Sequence, residues 1–224
     1  MIRTVATILV SSVFAHSAHA GFFGLVMRWQ TTATLSTGED VHVFSLHARF
    51  FEPVQLLNVF EANWVADIPF YQTGAPFGGD VVSNSGFFGF DSDLQWDTWV
   101  TLGDPDAADG TDTTVDPDFA MGPNTISGGW FDANPGTPDG QTDASNEALV
   151  AQLSFYAEDY GVGPGAPISG SLGVTWKDGT GATVQDVWSP LFGGFLFEGP
   201  PPPAPGSTIA LLAGLGLASR RRRG

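Results

Sequence analysis

The chain has 224 residues, with 24 Asp or Glu against eight Lys or Arg, for a net charge of −16. That balance excludes nucleic acid as a natural partner, because phosphate binding needs a basic face, and an anionic membrane surface would repel the chain as well. Cysteine is absent, which excludes disulfides, thiol catalysis and thiolate metal ligands, while 42% hydrophobic and 12% aromatic residues are too many for a disordered chain.

Taken in chain order, Met1–Ala20 has the form of a secretory signal peptide. Arg3 gives the positive start, Val5–Ala15 is an apolar run, and Ala18 and Ala20 put small residues at the −3 and −1 positions of a cleavage site before Gly21. From Gly21 to Gly199 runs a body long enough for one domain with a real core. Its basic residues are Arg28, Arg49 and Lys177, set against all 24 acids, so it carries about −21. Such a charge invites divalent cations, or a matrix crosslinked by them.

The body is rich in Gly, Phe, Trp, Val and Thr and poor in helix formers, which favours strands joined by tight turns. Ten strands are expected: Phe22–Leu35, Val41–Phe51, Val54–Val65, Val81–Phe90, Leu94–Leu102, Ile126–Phe131, Glu147–Tyr156, Ile168–Trp176, Thr183–Trp188 and Phe192–Phe197. The clearest is Val41–Phe51. Alternation puts His42, Phe44, Leu46, Ala48 and Phe50 on one face, and Val41, Val43, Ser45, His47 and Arg49 on the other. In Leu94–Leu102 the same rule opposes Leu94, Trp96, Thr98 and Val100 to Gln95, Asp97, Trp99 and Thr101. Lys177-Asp178-Gly179-Thr180-Gly181 is a hairpin turn, and a short helix fits Ser145–Ala151 behind a Ser145 or Asn146 cap. The expected fold is an all-β antiparallel sandwich of jelly-roll type, with nine or ten strands.

Three constellations could carry chemistry. The stretch Asp104–Asp118 contains Asp104, Asp106, Asp109, Asp112, Asp116 and Asp118 and no basic residue. Its oxygens suit calcium, with Asp104, Asp106, Asp109 and Asp112 as candidate ligands. The EF-hand spacing is not met, since Val115 stands where the twelfth-position glutamate belongs, and the same acids also read as a solvated loop. Among seven tryptophans, Trp99 beside Asp97 and Gln95 is the candidate platform for a sugar ring, with a core-filling role as the alternative. His42 and His47 point to opposite faces of one strand, so they cannot share a metal through it. No nucleophile–base arrangement or phosphate loop is visible. A carboxylate pair for glycoside cleavage is defined in space and cannot be read from spacing.

After the body comes Pro200-Pro201-Pro202-Pro203-Ala204-Pro205, then the apolar run Ile209–Ala218, then Arg220, Arg221, Arg222 and Arg223. Ten to twelve helical residues extend about 15–18 Å, against about 30 Å of bilayer hydrocarbon, which suits a transient anchor better than a permanent span. The arginines resist translocation and hold the end on the cytoplasmic side. This tail resembles the PEP-CTERM sorting signal of exported proteins in exopolysaccharide-producing Gram-negative bacteria. Pro203, Ala204 and Pro205 stand for its motif, with Ala204 in place of the usual glutamate, Ile209–Ala218 for its helix and Arg220–Arg223 for its basic cluster. The resemblance implies processing near the motif by an exosortase, a membrane cysteine transpeptidase. The order Trp96–Gly103, Gly129-Trp130-Phe131 and Ala148–Phe155 is similar to exported β-rich proteins of that group, a likeness that implies no activity.

The expectation is therefore three segments: signal peptide 1–20, β-sandwich 21–199 and sorting tail 200–224. The protein would be exported to the cell surface or extracellular matrix, touching the membrane only through the tail. Its expected role is a non-catalytic structural or adhesive component of an exopolysaccharide layer. The alternatives are a carbohydrate-binding module and a glycan-active hydrolase. Calcium is the candidate cofactor.

Overall fold

A computed structural model describes residues 21–73, 78–81, 87–103, 113–134, 136, 139–160, 167–189 and 195–198. They form an antiparallel-rich β-sandwich. The strands are β1 Phe22–Thr34, β2 Asp40–Phe50, β3 Gln55–Ala66, β4 Trp99–Val100, β5 Thr113–Val115, β6 Ala120–Met121, β7 Thr125–Asp132, β8 Glu147–Tyr156, β9 Ile168–Lys177, β10 Thr183–Trp188 and β11 Leu196–Glu198. One sheet has the order β11-β1-β2-β8-β4, the other β10-β9-β3-β7-β5 with β6 paired to β7. Every pairing between these strands is antiparallel except β11, which lies parallel to β1 at the edge.

The alternation read in β2 builds the core. Phe44, Leu46, Ala48 and Phe50 turn inward and meet Leu56, Val59, Ala62 and Trp64 of β3 in one apolar cluster between the sheets. Trp64, Trp130 and Trp176 are the largest fully buried side chains. Trp64 meets Trp130 edge-to-face at 5.5 Å, and Trp176 reaches across to Phe50 at 5.3 Å. His42 shares this face: it is buried, its Nδ1 lies 2.8 Å from the Thr32 hydroxyl, and its ring meets Tyr160 edge-on.

Turn chemistry sets the register. The expected hairpin after Lys177 is present. Asp178 Oδ1 accepts from the Thr180 and Ala182 amides, both at 2.9 Å, and Gly181 supplies φ +82. In the middle of β3, register shifts against both neighbours leave Glu61 at φ 50, a left-handed bulge in a central strand. Gly129 of β7 accommodates the kink: a Cβ there would meet the Val59 carbonyl at 2.8 Å and also the Asp116 carboxylate.

Four local expectations are corrected. Leu94–Leu102 is not one strand. The Asp91 carboxylate accepts from Asp93 N and caps a 3₁₀ turn over Ser92–Trp96, leaving only Trp99–Val100 extended. Asp93 in turn accepts from the Ser36 amide and hydroxyl, which pins that turn to the tip of the β1–β2 hairpin. Of the strand expected over Val81–Phe90, the described residues show a single parallel bridge from Val81 to Val100 and a turn over Phe87–Phe90; 82–86 lie outside the described residues. The proposed helix at Ser145–Ala151 is the start of β8 preceded by a turn, because Asp143 Oδ1 takes the Ser145 and Glu147 amides at 2.7 and 3.0 Å. The last strand begins at Leu196, with 190–194 outside the described residues.

Candidate functional site

The outer face of the five-stranded sheet gathers two of the three cations of the body. Register aligns Arg28 with Ser45 and Glu198, and Arg49 with Glu147, so these side chains share one face with His47 and Leu149. Arg49 donates through Nε to Glu147 Oε1 at 2.6 Å, and through both terminal nitrogens to the Glu198 oxygens at 2.7 and 2.6 Å. Arg28 donates to Glu147 Oε1 and Glu198 Oε2, each at 2.9 Å, and forms a further short contact with Glu147 Oε2. Two guanidinium forks thus hold two carboxylates, the geometry in which charge-assisted bonds are strongest. The Glu147 side chain is 1% exposed and Glu198 35%, so the first is the enclosed anchor and the second the solvent-side partner.

The electrostatics follow from those contacts. Hydrogen bonds from Arg49, then Arg28, hold the Glu198 carboxyl down at about 2 despite some burial. For Glu147, burial pushes the other way and the two arginines outweigh it, leaving the carboxyl below its usual range. His47, with Nδ1 4.0 Å from Glu147 Oε2, is lowered mainly by burial, opposed by Glu147, and stays neutral at pH 7. Both oxygens of Glu147 are committed to guanidinium groups, so it acts as an electrostatic anchor. Beside it opens a pocket of about 310 Å³ walled by Gln30, Ser45, His47, Gln141, Asp143 and Glu147. The Gln30 amide bonds the Ser45 hydroxyl at 2.6 Å, giving a wall of hydrogen-bonding groups against an internally neutralised charge cluster.

The sign of the pH dependence is fixed by the depressed glutamates. Their contribution is complete above the unfolded value near 4.5 and is lost as pH falls through the depressed folded values, which for Glu198 means towards about 2. Glu198→Gln is expected to cost about 1 kcal/mol at pH 7, a modest value because water screens the outer partner. The difference from the native chain should shrink steadily below pH 4.5 in urea melts. A difference independent of pH between 7 and 3 would contradict the assignment.

Of the residues singled out in the sequence, His47 lines this pocket and Trp99 lies at the far edge of the same sheet. Trp99 is 6% exposed and pairs with Gln152 of β8. Asp97 is 2% exposed, accepts from the Thr73 and Thr98 amides at 2.8 and 2.9 Å, and is pushed up to about 6, chiefly by burial. Gln95 donates to Ser92 O, and Gln152 donates to the carbonyls of both Gln95 and Asp97. The structure brings the three together as a stitched corner: Trp99 is in register with Gln152 and Ser45 on the outer side of the sheet, yet only 6% exposed, while its neighbour Val100 faces the core. Asp104, Asp106, Asp109 and Asp112 lie outside the described residues, as do Ala18, Ala20, Pro203, Ala204, Pro205 and Arg220–Arg223. Gly21 is described, and its carbonyl accepts from Phe51 N at 3.1 Å. Among the described residues no group of three His, Cys, Asp or Glu could hold a metal, and no helix is long and apolar enough to cross a membrane.

Comparison with protein-family models, with curated proteins and with solved structures returned no match.

Proposed function

We propose that the chain is an exported, non-catalytic surface or extracellular-matrix protein, carried by its PEP-CTERM-like tail to an exosortase and built into an exopolysaccharide layer as a structural or adhesive component. The observation that carries this reading is the fastening of the last described strand. β11 pairs with β1 through Val26–Leu196, Met27–Phe197 and Arg28–Glu198, and Glu198 is gripped by Arg28 and Arg49. The proline run begins two residues later, so the tail departs from a point bolted to the sandwich and its removal leaves the domain intact. At the other end the Gly21 carbonyl is bonded to Phe51, which supports signal cleavage just before the first element of the fold. A domain gripped at both exits suits a protein that is cut at both ends and then bears load in a matrix.

Mass spectrometry of surface material from producing cells tests this. The expected species begins at Gly21 and lacks Arg220–Arg223. Recovery of the mature chain with its arginine cluster in place would refute tail processing.

A further inference from the structure

The solvent face of the six-stranded sheet carries a pattern that neither the clasp nor the tail explains. Residues paired across strands point to the same side, so the registers fix its composition. One row crosses five strands as Gln185, Thr175, Asn58, Phe131 and Thr114, with Thr175 only 4% exposed and its hydroxyl accepting from Gln185 Nε2 at 3.1 Å. At about 4.8 Å between strands it is about 19 Å long. The next rows hold Val187 with Gly173 and Phe60, then Ser171, Asn63 and Ser127, then Ser169, Val65 and Thr125. Phe60 lies over Gly173, where any side chain would collide with its ring. Asn58 Oδ1 is buried without a hydrogen-bond partner, while Phe131, Val65 and Val187 are 36%, 49% and 58% exposed.

This face is a grid of hydroxyls, carboxamides and apolar groups. Among the described residues that the registers and the β3 bulge place on this face, the charged ones are Lys177 at one end and Glu61 and Asp116 near the bulge, in a body of about −21. That contrast selects the occupant. A second copy of the chain, or any anionic polymer, brings charge of the same sign and is repelled. A cationic partner finds its carboxylates elsewhere on the molecule. A neutral polymer dense in hydroxyls is complementary: hydroxyls exchange hydrogen bonds with Asn, Gln, Ser and Thr, and ring C–H faces pack on Phe60, Phe131 and the exposed valines.

We infer that this sheet face binds an extended, uncharged polysaccharide strand laid across β10, β9, β3, β7 and β5. The inference deepens the matrix reading and rests on it for the presence of such a polymer, but the contact itself is measurable on the purified full chain. The test is affinity electrophoresis in native gels containing hydroxyethylcellulose, galactomannan or dextran, with alginate as the anionic control. At least one neutral polymer should retard the chain and alginate should not. Phe131→Ala, Asn63→Ala and Gln185→Ala together should weaken that retardation about tenfold or more with the melting temperature nearly unchanged. If the triple variant does not fold, Asn63→Ala alone should still weaken it measurably. Three results overturn the inference: no retardation by any neutral polymer, retardation that survives these substitutions, or self-association in sedimentation that they abolish. None of these bears on where the tail is cut, so failure here is distinct from failure of sorting.

Discussion

Replacing Glu147 with alanine is expected to remove about 3–5 kcal/mol of stability, the usual cost of taking one partner from an enclosed ion-pair cluster. The reason is local. Glu147 is 1% exposed and is the only described carboxylate touching both guanidinium groups from the enclosed side. Without it Arg28 and Arg49 keep only Glu198, whose side chain is 35% exposed. At about 2–4 °C per kcal/mol for a domain of this size, the melting temperature should fall by about 10 °C. Glu147→Gln, which keeps one oxygen acceptor, should fall between the variant and the native chain. A loss below about 1 kcal/mol in urea melts would show that the cluster is no more than a surface pairing. The same variant should loosen β11, since the arginines that grip Glu198 lose their inner support; protection of the β11 amides from hydrogen exchange reports this.

How much of this was legible in the sequence depends on the range of the interaction. The two faces of β2 follow from its alternation, because period two is a local property of an extended chain, and the inward set Phe44, Leu46, Ala48 and Phe50 is the set observed. The Asp178 hairpin is likewise written in adjacent residues. The strand expected over Leu94–Leu102 failed for an equally local reason that alternation overlooks: Asp91 offers its side chain to the amide two residues on, and a 3₁₀ turn begins. The ion cluster was not legible from spacing, since Arg28 and Glu147 are 119 residues apart and Arg28 and Glu198 are 170 apart. One signal did point to it. Arg28 and Arg49 are two of only three cations in an acidic body, and each lies on an expected strand. The bulge at Glu61 left no trace that propensity could catch, because its cause is the close approach permitted by Gly129 on a strand far along the chain. The neutral sheet face became visible only once five registers had aligned residues scattered from Asn58 to Gln185.

The other large effect is expected in the core, where three buried tryptophans differ in one respect. Trp130 is 0% exposed, packs edge-on against Trp64 at 5.5 Å and Phe119 at 6.0 Å, and donates its indole N–H to the Thr101 carbonyl at 2.9 Å. Trp130→Ala should cost about 3–5 kcal/mol, from lost burial and the cavity left behind. The informative comparison is substitution by phenylalanine. Trp176 is also buried, at 1% exposure, but its indole nitrogen has no hydrogen-bond partner. Trp130→Phe leaves the Thr101 carbonyl without its donor inside the sandwich, an added cost of about 1–3 kcal/mol over the packing loss. Trp176→Phe loses similar volume yet removes an unpaired donor, so part of its packing loss is offset. The expected order in chemical denaturation is therefore a larger loss for Trp130→Phe than for Trp176→Phe. Equal losses would mean that the indole–Thr101 bond contributes nothing net, and the reverse order would mean that Trp176 Nε1 is satisfied by a water held within the core.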